Sequence, residues 1–174
     1  MIRSRIPLLL TCLPLLIPLN IYVIGSSLGS GIQWALFRFQ QTYGGISFIP
    51  VTSEFEYVFS GMITGRSAFS LLAGGISTCL LVAALCFILL SYEYESEKGV
   101  KTAGFLTIMA GIISILSSAL QYGIFLNGPA GFALPVGIPL ILVIGWMMFS
   151  GFYHRILTEN VGIIEEDDES DRIS

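Results

Sequence analysis

The sequence predicts an all-α integral membrane protein with four transmembrane helices and short amphipathic or interfacial elements in its first outer loop. Three observations carry this expectation. Only 11% of the 174 residues are charged, against about 25% in a typical soluble domain. Mean hydropathy is +0.82. The charged residues are clustered, leaving four apolar runs without Asp, Glu, Lys or Arg at residues 6–24, 68–91, 102–126 and 132–153, and roughly 20 apolar residues suffice for a helix to cross the hydrocarbon core.

The first run follows Arg3 and Arg5. Its length exceeds the roughly 7–15 residues of a signal-peptide core, so it reads as an uncleaved anchor. Pro14 and Pro18 are expected to bend it, as Pro135 and Pro139 are expected to bend the fourth run. With residues 1–5 inside, Arg3, Arg5, Lys98, Lys101, Arg155 and Arg172 fall on the cytoplasmic side, and only Arg38 and Arg66 fall outside. The positive-inside rule then places both termini in the cytoplasm of a multi-pass protein of the plasma membrane. Tyr22, Tyr92, Tyr94 and Tyr153 lie where interfacial aromatics are expected, whereas Trp146 is deeper and reads as helix packing.

Residues 25–67 form the larger outer segment. The stretch from Gly31 to Tyr43, GIQWALFRFQQTY, interleaves Trp34, Phe37 and Phe39 with glutamines and Arg38. Its aromatic content suits a helix lying among headgroups or against a partner. Ser53 and Glu56 have capping-box spacing, and Phe55, Val58, Phe59 and Met62 follow at helical intervals, so a second short helix is expected there. The competing strand reading would put Phe55, Tyr57 and Phe59 on one face. Trp34, Phe37, Phe39, Phe55 and Phe59 are the candidate contacts to a partner or to lipid, because so many apolar rings in a segment outside the spans need cover.

Residues 92–101 make a short cytoplasmic loop, so the second and third runs should form an antiparallel hairpin. In lipid, close approach through small residues does much of the work of helix association. Gly104, Gly111, Ser114, Ser118 and Gln121 gather on one stripe of the third run, and Gly74 lies on a looser stripe of the second. These are the candidate packing residues. Gln121 is expected to find hydrogen-bond partners on a neighbouring helix. Residues 127–131 make a second, very short outer loop, and the acidic residues 165–169 mark a solvated tail over 154–174 that offers a docking site to a basic cytoplasmic partner.

This topology, with a large first and a short second outer segment, resembles that of tetraspan families such as claudins and tetraspanins. The cysteine pairs that mark their outer domains are missing. Cys12, Cys79 and Cys86 all fall in apolar runs, where cysteine usually behaves as a small hydrophobe.

The chemistry expected is sparse. No run carries an ionisable group of the kind proton- or ion-coupled carriers use at membrane depth. His154 is the sole histidine, so a bis-histidine haem cannot form within one chain. Phosphate-loop, nucleophile-elbow and zinc-protease patterns are missing. Glu54 and Glu56 would point apart on a helix. The expectation is therefore a non-enzymatic scaffold or accessory subunit without cofactors, metal or nucleic acid, contacting the lipid bilayer and forming a homo-oligomer or joining other membrane subunits. The alternative is a channel or carrier for a neutral or lipid-like solute, lined by Thr78, Ser114, Ser117, Ser118 and Gln121.

Overall fold

Pro18 ends the first apolar run as a helix well short of a membrane thickness. Its ring cannot donate a backbone hydrogen bond, and it drives the preceding residue out of helical geometry. In the computed structural model, which describes residues 6–25, 28–94 and 97–151, helix α1 spans Ile6–Leu16, and the chain then extends into strand β1, Asn20–Ile24. The helix expected over residues 6–24 is thus a helix followed by a strand.

The segment that follows corrects the sequence expectation more deeply. Instead of a helix, Gly31–Tyr43 contributes to β2 (Gly29–Gln33) and β3 (Phe37–Thr42), which continue into β4 (Gly45–Pro50). The β3–β4 hairpin turns through Tyr43 and Gly44, with Thr42 facing Gly45 across the ladder. Gly45 has φ +118°, a conformation that glycine adopts without steric cost. Strands β5 (Asn127–Gly128) and β6 (Gly131–Leu134) occupy what the sequence suggested was a bare loop and the start of a fourth span. All pairings are antiparallel, and the order across the sheet is β4-β3-β2-β1-β6-β5.

Helix α2, Val51–Phe59, forms where the second amphipathic helix was expected, but Pro50 rather than Ser53 occupies its N-cap, and no side chain caps it. The capping-box reading therefore fails. Helices α3 (Gly65–Tyr94) and α4 (Glu97–Tyr122) are the long ones, and α5 (Ile138–Ser150) starts with Pro139 in its first turn, a position where the missing N–H costs nothing.

The fold is therefore α+β, with five helices and a six-stranded antiparallel sheet among the described residues. The all-α architecture with four transmembrane helices is incorrect. Among the described residues, only two helices, at Gly65–Leu90 and Lys98–Tyr122, are long and apolar enough to cross a membrane. At about 1.5 Å per residue, the 11 residues of α1 and the 13 of α5 fall short of a hydrocarbon core about 30 Å thick. The tetraspan topology and its likeness to claudins and tetraspanins lose their basis for the same reason.

Two apolar clusters hold the helices together. One joins Leu19, Ala35, Leu81, Ala110, Ile138 and Ile141, and the other joins Ala84, Ile88, Ala103, Ile144 and Met148. The sheet lies at the end of the bundle where α1 hands over to β1 and β6 hands over to α5. Residues 1–5, the interfacial Tyr153, His154 and the acidic tail lie outside the described residues.

Candidate functional site

Period-two alternation gives the sheet two chemically distinct faces, and their placement inverts the usual order. Antiparallel sheets commonly bury an apolar face and expose a polar one. Here Asn20, Gln33 and Arg38 stand in one cross-strand row and Tyr22, Gly31 and Gln40 in the next, on the face turned towards the helices. Asn20 and Tyr22 are buried, Tyr22 with only 2% of its surface exposed. Gly31 makes room for this ring, because a Cβ there would lie 2.5 Å from the tyrosine Cζ.

The opposite face carries Leu134, Ile21, Ile32, Phe39 and Phe48, which register pairing aligns in one continuous row across five strands. Leu134, Ile21, Phe39 and Phe48 are all exposed. The rings of Phe37, Phe39 and Phe48 pack among themselves, with centroids 5.0–6.3 Å apart, distances suited to favourable aromatic pairing. Trp34 stacks on Phe37 at 4.9 Å.

Polar side chains tie the inner face to the helices. The Nε of Arg38 lies 2.8 Å from Oε1 of Glu54 on α2, and both side chains are largely buried. The Nε–H does not point along that line, so the contact is an ion pair rather than a linear hydrogen bond. Burial pushes the Glu54 carboxyl above its ordinary range, and the Arg38 charge offsets only part of that shift. Burial likewise raises the Tyr22 phenol, against the lowering effect of Arg38. Thr78 Oγ1 on α3 donates to the Ala35 carbonyl at 2.6 Å, and Trp34 Nε1 donates to the Leu16 carbonyl at 3.1 Å.

Asn20, Gln33, Trp34, Glu54, Thr78 and Ser117 border a cavity of about 10 Å³, room for about one water molecule. Among the described residues, no three His, Cys, Asp or Glu side chains come together as metal ligands.

The small-residue stripe of α4 divides between two neighbours. Ser114 Oγ lies 2.7 Å from Ser77 Oγ, and Ser77 donates to the Ala110 carbonyl at 2.9 Å. Ser70 and Ser117 each donate to the other's carbonyl at 2.8 Å. Gly74 faces the Ser117 hydroxyl. These contacts bind α3 to α4. Gly104 and Gly111 instead receive α5, since a Cβ on Gly104 would lie 2.5 Å from Phe149 N, and one on Gly111 would lie 2.7 Å from Leu142 Cδ2. Ser118 donates to the Ser114 carbonyl at 3.0 Å and reaches the Asn20 side chain at 3.4 Å. Gln121 Oε1 is buried without a hydrogen-bond partner among the described residues.

The outer aromatics also divide. Phe39 and Phe59 are exposed. Phe55 is packed on α3, where Gly75 leaves space for its ring: a Cβ at that glycine would overlap it. Trp34 and Phe37 are half-buried. Sequence reasoning missed Ile21, Ile32, Phe48 and Leu134 as members of the same surface. The alternation Phe37-Arg38-Phe39-Gln40 was the signal that could have found it.

Comparison with protein-family models and with curated proteins finds no match for this chain.

Proposed function

We propose that this protein is a non-catalytic membrane component that assembles with itself or with other membrane subunits through the outer face of its sheet. The observation that carries this reading is the exposed row Leu134–Ile21–Ile32–Phe39–Phe48 beside a buried polar face. A contiguous apolar patch of this kind on a folded surface is characteristic of contact sites. Among the described residues, nothing covers that row once the sheet sits on the bundle.

Support for a bilayer location, in our reading the plasma membrane, comes from α3, α4 and α5. Phe69, Ile76, Leu90, Phe105, Leu116 and Trp146 are exposed on them, and lipid is the solvent that such a surface suits. The α3–α4 hairpin would then be the membrane-embedded element, with α1 and α5 packed beside it. A solute path has less support, because the Ser70, Ser77, Ser114 and Ser117 hydroxyls are engaged between α3 and α4.

Purification in mild detergent followed by native mass measurement tests the proposal. An oligomer or a copurifying membrane subunit is expected. A monomer without any copurifying subunit overturns it.

A further inference from the structure

We propose that a second copy of this chain pairs with the free edge of β4, joining the two sheets in one antiparallel ladder with a two-fold axis at Ser47. This inference rests on the assembly reading above and names a partner for the edge of the same sheet, a pairing that leaves the outer row itself free for contact.

Among the described residues strand β4 is an edge, paired to β3 on one side only. The Val51 N–H donates to the Leu36 carbonyl at 2.9 Å, which fixes the phase of the ladder. In an antiparallel pair, hydrogen-bonded and non-hydrogen-bonded residue pairs alternate. Arg38–Ile49 and Gln40–Ser47 are therefore the hydrogen-bonded pairs, and Phe39–Phe48 and Gln41–Ile46 lie between them. Consequently Ile46 and Phe48 direct both N–H and C=O away from β3, at a repeat of about 6.8 Å.

Proteins usually guard such an edge with charge, proline or a bulge. The sequence Gly45-Ile46-Ser47-Phe48-Ile49 contains no charge and no proline, and its pairing to β3 runs without a bulge. Pro50, which has no N–H to offer, ends the strand. The side chains of Ile46 and Phe48 are 72% and 56% exposed.

A second copy fits this edge because the edge is self-complementary. With the axis at Ser47, Ile46 faces Phe48 of the other copy, and the outward amides of both close two complete hydrogen-bonded pairs. The axis stands perpendicular to the sheet, so the apolar faces of both copies lie on one side and both helical bundles on the other. That arrangement places the two bundles in one membrane and continues the apolar row from Phe48 into the next subunit.

A cross-link reads the register directly. Ser47 would meet its own counterpart in a non-hydrogen-bonded pair, where Cα atoms are about 4.5 Å apart, within the range a disulfide spans. The full-length Ser47→Cys variant, oxidised mildly in its native membrane, should move most of the chain to twice its mass, with the bond mapped to position 47 of both chains. Tyr43→Cys is the control, since in this register position 43 faces position 51. Native mass measurement in mild detergent runs alongside. A dimer in which Ser47→Cys links no more than Tyr43→Cys overturns the β4 pairing and leaves the assembly reading standing. A complex holding one copy of this chain with a different subunit has the same consequence, whereas a monomer without any copurifying subunit overturns both.

Discussion

Arg38 of β3 and Glu54 of α2 form a buried ion pair, with Nε 2.8 Å from Oε1, that fastens the polar face of the sheet to the helix beneath it. Few charges lie in this part of the chain, and these two have left water together. Removing one partner from such a pair strands the other and typically costs about 3–5 kcal/mol, whereas replacing both by apolar groups is often neutral. Glu54→Ala should therefore destabilise the protein by about 3 kcal/mol, and Arg38→Met combined with Glu54→Leu should cost markedly less. Denaturant unfolding in a fixed detergent checks this, and equal losses in the single and double variants would refute it.

The same pair sets an acid response opposite in sign to that of an ordinary salt-bridged carboxylate. Burial raises the Glu54 value above its ordinary 4.5, so between those two values the folded chain holds more protons than the unfolded chain. Stability attributable to this group then rises as pH falls through the folded value, and levels off below 4.5. Thermal midpoints recorded across that acidic window should show the rise in the native protein and lose it in Glu54→Gln. A native midpoint that falls in step with that of Glu54→Gln would refute the assignment.

Two glycines that look alike in the sequence should answer alanine differently. A Cβ at Gly104 would lie 2.5 Å from Phe149 N and 2.9 Å from the Gly145 carbonyl, backbone atoms that cannot rotate away. Gly104→Ala must push α5 from α4, and overpacking of this kind costs about 1–3 kcal/mol. At Gly74 the nearest atom is the Ser117 hydroxyl at 3.4 Å, which can yield, and alanine gains helix propensity of up to about 1 kcal/mol. Thermal midpoints should therefore drop for Gly104→Ala and hold or rise for Gly74→Ala.

How much of this was legible follows from which periodicities compete. The apolar runs 68–91 and 102–126, which form most of α3 and α4, are long, free of charge and free of proline, so length alone marks them as helices. In Ile21-Tyr22-Val23-Ile24 the same apolarity belongs to a strand, and only Pro18 warned that the helix had ended. The Phe37–Thr42 segment alternates as a strand does, but its apolar residues face outwards and its Arg38 faces inwards, against the pattern by which strands are usually recognised. The partner of Arg38 lies 16 residues further on, on α2, and no local spacing rule links the two. The packing stripe of α4 was legible as a stripe. Its division between α3 and α5 was not, because that depends on where a third helix returns.

The serine contacts between α3 and α4 should be individually modest. Ser77 meets both the Ser114 hydroxyl and the Ala110 carbonyl; in the bilayer location proposed above, hydrogen bonds between helices average only about 0.6 kcal/mol, with a maximum near 1.7. Ser77→Ala should cost about 1 kcal/mol, and a double-mutant cycle with Ser114→Ala should show coupling, because each loses the same partner. Additive losses would mean that Ser77 acts through the Ala110 carbonyl rather than through the Ser114 hydroxyl.

Charge placed in the exposed row should separate folding from assembly. Phe39 lies in the outer row between Ile32 and Phe48, where its side chain is exposed and its strand pairs with both neighbours. Phe39→Glu keeps those backbone pairings and removes ring contacts with Phe37 and Phe48, each worth about 0.5–1.5 kcal/mol. The variant should therefore fold with a modest loss in thermal midpoint. If the row is a contact surface, a carboxylate within it would be desolvated without a partner on assembly, a cost large enough to dissociate most complexes. Native mass measurement should then show the variant losing whatever subunit sits on that row, while Phe59→Glu, on the exposed end of α2, keeps the native assembly. The reverse result would move the contact from the sheet to α2.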